Sequence, residues 1–357
     1  MSVKPTAKAR LAALSTLLTA AALMLAAPAT ANAADIHTGG KTGAYHTTFC
    51  PPLATALNQA RYNATCRTSE GTAANLERVF GDPRAIGFGQ LDVLALLTGR
   101  MKPNPYKILR RDNVRECVFA VTRARDVESY GDIAGFAFRR TFHLPPRKSG
   151  SAATFQNLQR IDADGLGQAR RVQYADSTDQ AIRNALNTPG AVAFFVQFPD
   201  PKNARFKLIE KLGGTLIPVI DRRILRQELN GEKVYFAQET QVSNRGWLKK
   251  ARKVVTACTP LVVFTGANDR VVGREGRRIH ADLIRTVEAL PADALIQKRG
   301  LFSRIWQRTK TLSASAADRM AQIAEDARER ARPMMEEARE KARRGVEIMI
   351  DKARPKN

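Results

Sequence analysis

The sequence predicts an α/β protein of two lobes joined by extended crossing segments, with a C-terminal helical extension. Three observations predict it. Short apolar, strand-like runs alternate with helical patterns in a β-α-β-α-β order, which marks parallel sheet. That rhythm restarts after Cys117. A long apolar run over 254–264 then leads back toward the first region. With 357 residues, 44% hydrophobic and 26% charged, the chain is long enough for two domains and too apolar for wholesale disorder.

The first residues read as an address. Lys4, Lys8 and Arg10 precede an uncharged run from Leu11 to Ala27, which Pro28 ends. Ala31-Asn32-Ala33 then places small residues at the positions a signal peptidase reads. Residues 1–33 are therefore expected to be a signal peptide cleaved after Ala33, and the mature chain a periplasmic protein. The apolar run is at the short end for a bilayer span, and no Cys follows it to carry a lipid.

The elements follow in order. Ile36 and His37 belong to a short strand that enters the Gly-rich turn Thr38-Gly39-Gly40-Lys41-Thr42-Gly43. A helix is expected over 52–59 and a strand over 64–68, after which Ser69-Glu70-Gly71-Thr72 feeds a helix N-terminus. Residues 84–89 form a third strand, and Gln90-Leu91-Asp92 opens the next helix. Beyond Cys117 the expected elements are strand 118–121, helix 127–133, strand 134–138 and helix 153–161. Strand 172–174, helix 177–186 and strands 191–196 and 216–219 complete the set. This divides the mature chain into lobe 1 (34–115 and 259–299), lobe 2 (116–258) and a basic amphipathic helical tail (300–357).

In an oxidising compartment four cysteines are read as two disulfides. Cys50 and Cys66 flank a short helix that returns toward a strand; Cys117 and Cys258 sit on two strand-like runs. The expected pairs are Cys50–Cys66 and Cys117–Cys258. In the tail, apolar residues at Met320, Ala324, Ala327, Ala331, Met335, Ala338 and Ala342 step by three and four, with an eleven-residue recurrence. Pro333 is expected to kink or interrupt this helix. The narrow Ala stripe fits two readings: a solvated helix packed loosely on the body, or one that meets a partner helix or an acidic membrane surface.

The formal charge of +24 favours anionic partners. Export and few aromatic platforms count against nucleic acid. No CxxC, HExxH, nucleophile–His arrangement or cofactor fingerprint occurs, so neither enzyme, metal nor cofactor is expected. Three Gly/Ser/Thr loops instead precede helices: 38–43, 69–72 and 149–152. Helix starts leave unpaired N–H groups at a positive dipole end, which suits an anion without a metal.

These segments in this order resemble the TAXI subgroup of periplasmic solute-binding proteins of TRAP transporters, which have the type 2 periplasmic-binding fold. The residues that carry the likeness are Thr38–Tyr45, Ser69–Leu76, Ile86–Asp92, Gly150-Ser151-Ala152, Gly190–Val196 and Leu216–Val219. The resemblance implies two lobes closing on a small anionic solute, a carboxylate or amino acid, for a TRAP-type permease. It assigns Gly39, Gly40, Thr42 and Tyr45, then Ser69, Gly71 and Thr72, then Gln90 and Asp92 to lobe 1's share of the ligand. Gly150, Ser151 and Thr154 would receive its other end. Arg139 and Arg140, placed after a strand, offer guanidinium forks for a carboxylate. The chain departs from the family in its basic tail, in Ser151-Ala152 where a Gly-Thr is usual, and in its four cysteines. These departures admit an alternative, a periplasmic interaction or sensor protein of the same fold that contacts a partner or acidic membrane surface through its tail.

Overall fold

The computed structural model of the chain describes residues 32–243, 250–291, 294–295 and 309–353. The expected signal peptide, apart from Asn32 and Ala33, lies outside the described residues. Strands β1 (Asn32–His37), β2 (Tyr62–Arg67) and β3 (Ile86–Gln90) pair in parallel. Helices α1 (Cys50–Gln59), α2 (Thr72–Gly81) and α3 (Leu91–Thr98) connect them or follow them. The 17-residue strand β4 (Tyr106–Thr122) then passes into a second set. That set comprises α4 (Tyr130–Gly135), β5 (Thr141–Leu144), α5 (Gly150–Ile161), β6 (Arg171–Tyr174), α6 (Thr178–Asn187) and β7 (Val192–Gln197). After it come α7 (Ala204–Lys211), β8 (Thr215–Ile217), α8 (Arg222–Leu225), the small hairpin β9 (Glu228–Leu229) and β10 (Glu232–Lys233), and β11 (Phe236–Gln241). Strand β12 (Lys253–Gly266), helix α9 (Arg274–Glu288), β13 (Thr309–Thr311) and α10 (Ala314–Ala353) complete the described chain.

The fold is the expected two-lobed α/β architecture with crossing strands and a C-terminal helix. One half of the sheet runs β2-β1-β3-β12-β4, and the other runs β6-β5-β7-β4-β8. Each half has three parallel strands, then an antiparallel crossing strand, then one more. The crossing strands β4 and β12 lie side by side and belong to both halves. Strand β12 is buried along nearly its whole length, which explains its unbroken apolar run. The register slips just after Pro260, which has no N–H to give the ladder. The first half of β4 was not anticipated, because Lys107, Arg110, Arg111, Asp112 and Arg115 hide its periodicity.

Both expected disulfides are present. Cys50–Cys66 ties α1 to β2. Cys117 and Cys258 face each other in register on β4 and β12, so the second bridge staples the crossing strands together.

The expected strand over 134–138 is corrected. Ser129 and Asp132 form a reciprocal capping box that starts α4, with Ser129 N donating to Asp132 Oδ2 at 2.8 Å. The strand comes later, at β5, where Thr141–Leu144 pairs with β6 and β7.

The tail differs from its expected form in three ways. It runs as one helix through Pro333, so of the expected kink or interruption the interruption is absent. Proline removes one intrahelical bond, and the strong helix formers on both sides carry the helix past it. Nor is the helix loosely packed: Ala321, Ala324, Ala327 and Ala331 are buried against α4 and its surroundings. Its partner helix is within the same chain. A Cβ built on Gly131 would stand 2.1 Å from the Ala324 carbonyl oxygen, and one on Gly135 would stand 3.0 Å from Ala331 Cβ. Arg328 inserts between Asp162 at 2.8 Å and Asp221 at 3.1 Å, both fully buried. Arg223 also reaches Asp162 at 3.0 Å, and Tyr130 Oη donates to it at 2.9 Å. Finally, Ala314–Ala353 carries nine Asp and Glu against nine Lys and Arg, so the helix itself has no basic excess. Among the described residues no helix is long and apolar enough to cross a membrane.

Candidate functional site

Parallel α/β sheets expose their ligand crevices at the C-terminal ends of the strands, where the following helices begin. Here those ends belong to β1, β3 and β5. The turn after β1 is held by its own groups: Thr38 Oγ1 donates to Arg67 O at 2.9 Å, and Gly43 N donates to Gly40 O at 2.8 Å. The turn before α2 is tied to it, since Ser69 N donates to Gly39 O at 3.0 Å and Ser69 Oγ accepts from Gly71 N at 3.1 Å. Asn75 Nδ2 donates to both Thr38 O and Phe88 O, locking the start of α2 against β1 and β3.

The start of α2 meets the start of α5. Gly71 has φ +133°, a conformation that L side chains rarely adopt, and a Cβ there would stand 3.0 Å from Gly150 N. Gly150 opens α5 behind the N-cap Ser149, whose Oγ accepts from Ala152 N. A Cβ on Gly150 would strike Gln90 Oε1 at 1.9 Å. Gln90 N in turn donates to Thr72 Oγ1 at 3.4 Å. Two helix N-termini, one from each lobe, therefore face each other, with the Gln90 amide oxygen beside the second. Lys148 and Glu77 add an exposed ion pair at 3.3 Å across the same boundary.

Two carboxylates lie in this boundary. Asp92, in the first turn of α3, is fully buried. Its Oδ2 accepts from Thr154 Oγ1 at 2.6 Å and from Tyr235 Oη at 2.9 Å. Asn157 Nδ2 donates to Tyr235 Oη at 3.1 Å, and Asp92 N donates to Thr259 Oγ1 at 3.2 Å. The N–H groups of Asp92 and Val93 point toward the carboxylate, yet its Oδ1 makes no well-formed hydrogen bond. Burial raises the Asp92 pKa, and the Thr154 and Tyr235 hydroxyls oppose that rise. Glu116, on β4, is partly buried and accepts a short hydrogen bond from Tyr45 Oη. Desolvation pushes its pKa up to about 7; the charge of Asp92 adds to the rise, and bonds from Tyr45 and Gln90 oppose it. Burial, then the Glu116 charge, pushes the Tyr45 hydroxyl well above its ordinary range. Among the described residues neither carboxylate pairs with a Lys or Arg. Nor do the described residues contain a group of three His, Cys, Asp or Glu placed to hold a metal ion.

The structure thus brings together Tyr45, Gly71, Thr72, Gln90, Asp92, Gly150 and Thr154. Gly39 is buried beside this cluster, contributing backbone, while Gly40 and Thr42 are exposed in the first turn. Ser69 and Ser151 are engaged structurally; Ser151 Oγ accepts from Val196 N at 2.9 Å and so fixes α5 to β7. Arg139 and Arg140 are not in the crevice. Arg139 is exposed over the Phe138 ring, and Arg140 is buried against Asp126 at 3.1 Å and Gly190 O at 3.3 Å. The reason is the misplaced strand: both residues precede β5 rather than follow it, so they sit at the end of the sheet opposite α5. Glu116, Tyr235 and Asn157 were missed. Glu116 is a lone acid beside Arg115 and Cys117, a weak signal, and Tyr235 comes from the segment after a remote hairpin, with no motif.

No protein-family profile matches the sequence, and no curated protein matches it. Several solved structures are loosely similar. MatC from Rhodopseudomonas palustris, with bound malate, is 11% identical at a TM-score of 0.41, covering 86% of this chain and 99% of its own. A second R. palustris protein, with adipate, is 12% identical at 0.42, covering 85% and 95%. The binding protein component of an ABC phosphonate transporter from Pseudomonas aeruginosa is 10% identical at 0.41, covering 86% and 99%.

Proposed function

We propose that the chain is an exported, non-catalytic solute-binding protein. It captures a small carboxylate-bearing solute between lobe 1 (34–115 and 259–299) and lobe 2 (116–258). The observation that carries this reading is the pair of helix N-termini at Gly71 and Gly150, one per lobe, meeting backbone to backbone. Backbone N–H groups and aligned dipoles there stabilise an anionic oxygen, and the glycines let it approach closely. The Gln90 amide oxygen now beside Gly150 marks where a solute oxygen would come to lie.

The crevice is drawn shut by Thr154 on Asp92 and by Gly71 on Gly150. Function requires that a solute part these contacts and that the lobes closed around it bind it more tightly than an open form does. A TRAP-type permease as the recipient is supported by the sequence resemblance at Thr38–Tyr45 and Ser69–Leu76 alone. A second reading, an interaction or sensor protein of the same fold, is favoured by one observation: the lobes already meet through the protein's own groups, Thr154 on Asp92 and Gly71 on Gly150. A thermal-shift screen of small carboxylates and amino acids separates the two. A solute at a hundredfold excess over its Kd adds about 2.7 kcal/mol, or roughly 4 °C for a chain of this size. No shift with any compound favours the second reading.

A further inference from the structure

Asp92 and Glu116 are not explained by a carboxylate-binding crevice. They stand close enough for the charge of Asp92 to act on Glu116; Asp92 is fully buried and Glu116 partly so. Their partners are hydroxyls and an amide: Thr154 and Tyr235 on Asp92, Tyr45 and Gln90 on Glu116. Backbone N–H groups at the start of α3 ease the charge on Asp92, but its fully buried Oδ1 is left without a hydrogen bond. Two neighbouring carboxylates with no side-chain cation can both stay ionised only if something else brings positive charge; otherwise one takes up a proton. The large majority of buried side-chain polar atoms in folded proteins have at least one hydrogen-bond partner, so an unpartnered one calls for an explanation.

Resting on the crevice reading above, we infer that the solute carries a protonated amine, held by Asp92 and Glu116, at the end away from Gly71 and Gly150. An ammonium has three donors. Asp92 Oδ1 and the Glu116 carboxylate accept two, and the hydroxyl oxygen of Tyr45 or Thr154 accepts the third. Tyr45 and Thr154 come from different lobes, so an ammonium there draws on both and favours closure. A dicarboxylate of the same length would put a further negative group beside two that already repel, which gives selection against it without any bulky gate.

The test is calorimetric titration of the mature, oxidised full chain with pairs matched except for the amine: glutamate against glutarate, leucine against 4-methylpentanoate, and 5-aminopentanoate against pentanoate. At least one amine-bearing member is expected to bind, roughly a hundredfold tighter than its partner. Glu116→Gln, which keeps the shape and the bond to Tyr45, is expected to weaken that binding about tenfold or more. Asp92→Asn should act likewise where its circular dichroism matches the parent. Equal or tighter binding of an amine-free member overturns the inference and leaves the crevice reading standing. An unchanged amine affinity in Glu116→Gln also overturns it. Failure of every compound overturns both.

Discussion

Substituting Gly131 by Ala tests the seating of the tail. The added methyl would stand 2.1 Å from the Ala324 carbonyl oxygen and 3.0 Å from Ala327 Cβ. The nearer obstacle is backbone, so no rotamer change relieves it, and α10 must move away from α4. Overpacking of this kind costs about 1–3 kcal/mol. The same movement draws Arg328 off Asp162 and Asp221, both fully buried. Breaking a buried pair outright costs about 3–5 kcal/mol, but Arg223 still faces Asp162, so only part is lost. Replacing a helical glycine returns about 0.5–1 kcal/mol of propensity. The net expectation is a loss of about 2–4 kcal/mol. Equilibrium denaturation in urea measures it, with Gly81→Ala as the control, where a Cβ meets nothing within 4 Å. Limited proteolysis should show earlier cleavage in α10 of Gly131→Ala. A variant as stable as the parent, with an equally protected tail, would refute the close helix packing.

Three other outcomes are expected. Burial pushes the Glu116 pKa up to about 7 from its ordinary 4.5, so the folded protein binds this proton more tightly. Its contribution is therefore fully present below about pH 4.5 and is lost as pH rises through 7. For a partly exposed group this amounts to about 1–3 kcal/mol. Glu116→Gln should flatten the fall in stability between pH 5 and 8; a profile parallel to the parent's would contradict it. Ending the chain after Leu312 should lower the denaturation midpoint by exposing the face of α4 around Gly131 and Gly135. Solute affinity should be kept in the molecules that remain folded, since the described bonds from the tail to the body reach Asp162, Asp221 and Arg222, none of them a crevice residue. Replacing Cys117 and Cys258 together by Ala should destabilise the chain by a few kcal/mol, because the bridge closes a loop of 141 residues in the unfolded state. A change under about 1 kcal/mol in paired denaturation curves would count against that role.

Much of the fold is readable from local pattern. Strands such as Val192–Gln197 and Lys253–Gly266 are apolar because both sheet faces are covered, and composition alone finds them. The disulfide partners follow from strand placement, with Cys117 and Cys258 in register. Strand β4 escapes notice because its charged residues pair at the edge of lobe 1, as Arg110 does with Asp112 at 2.8 Å. The tail's small residues are visible in sequence, but what they face is not: Gly131 and Gly135 lie almost two hundred positions earlier, in a segment mistaken in part for a strand. In the crevice, the glycines and hydroxyls at helix starts declare themselves through turn chemistry. Glu116, Tyr235 and Asn157 do not, because their meaning arises only when β4, the segment after the hairpin and the inner face of α5 converge on Asp92.

The most direct measurement is a crystal structure of the mature chain with the tightest-binding solute from the screen. The expected result is a solute between Gly71 and Gly150, its carboxylate at the starts of α2 and α5 and its amine against Asp92 and Glu116, with the Gln90 amide displaced. A solute seated elsewhere, with the Thr154–Asp92 bond and the Gly71–Gly150 contact unchanged, would contradict the capture of solute between the lobes.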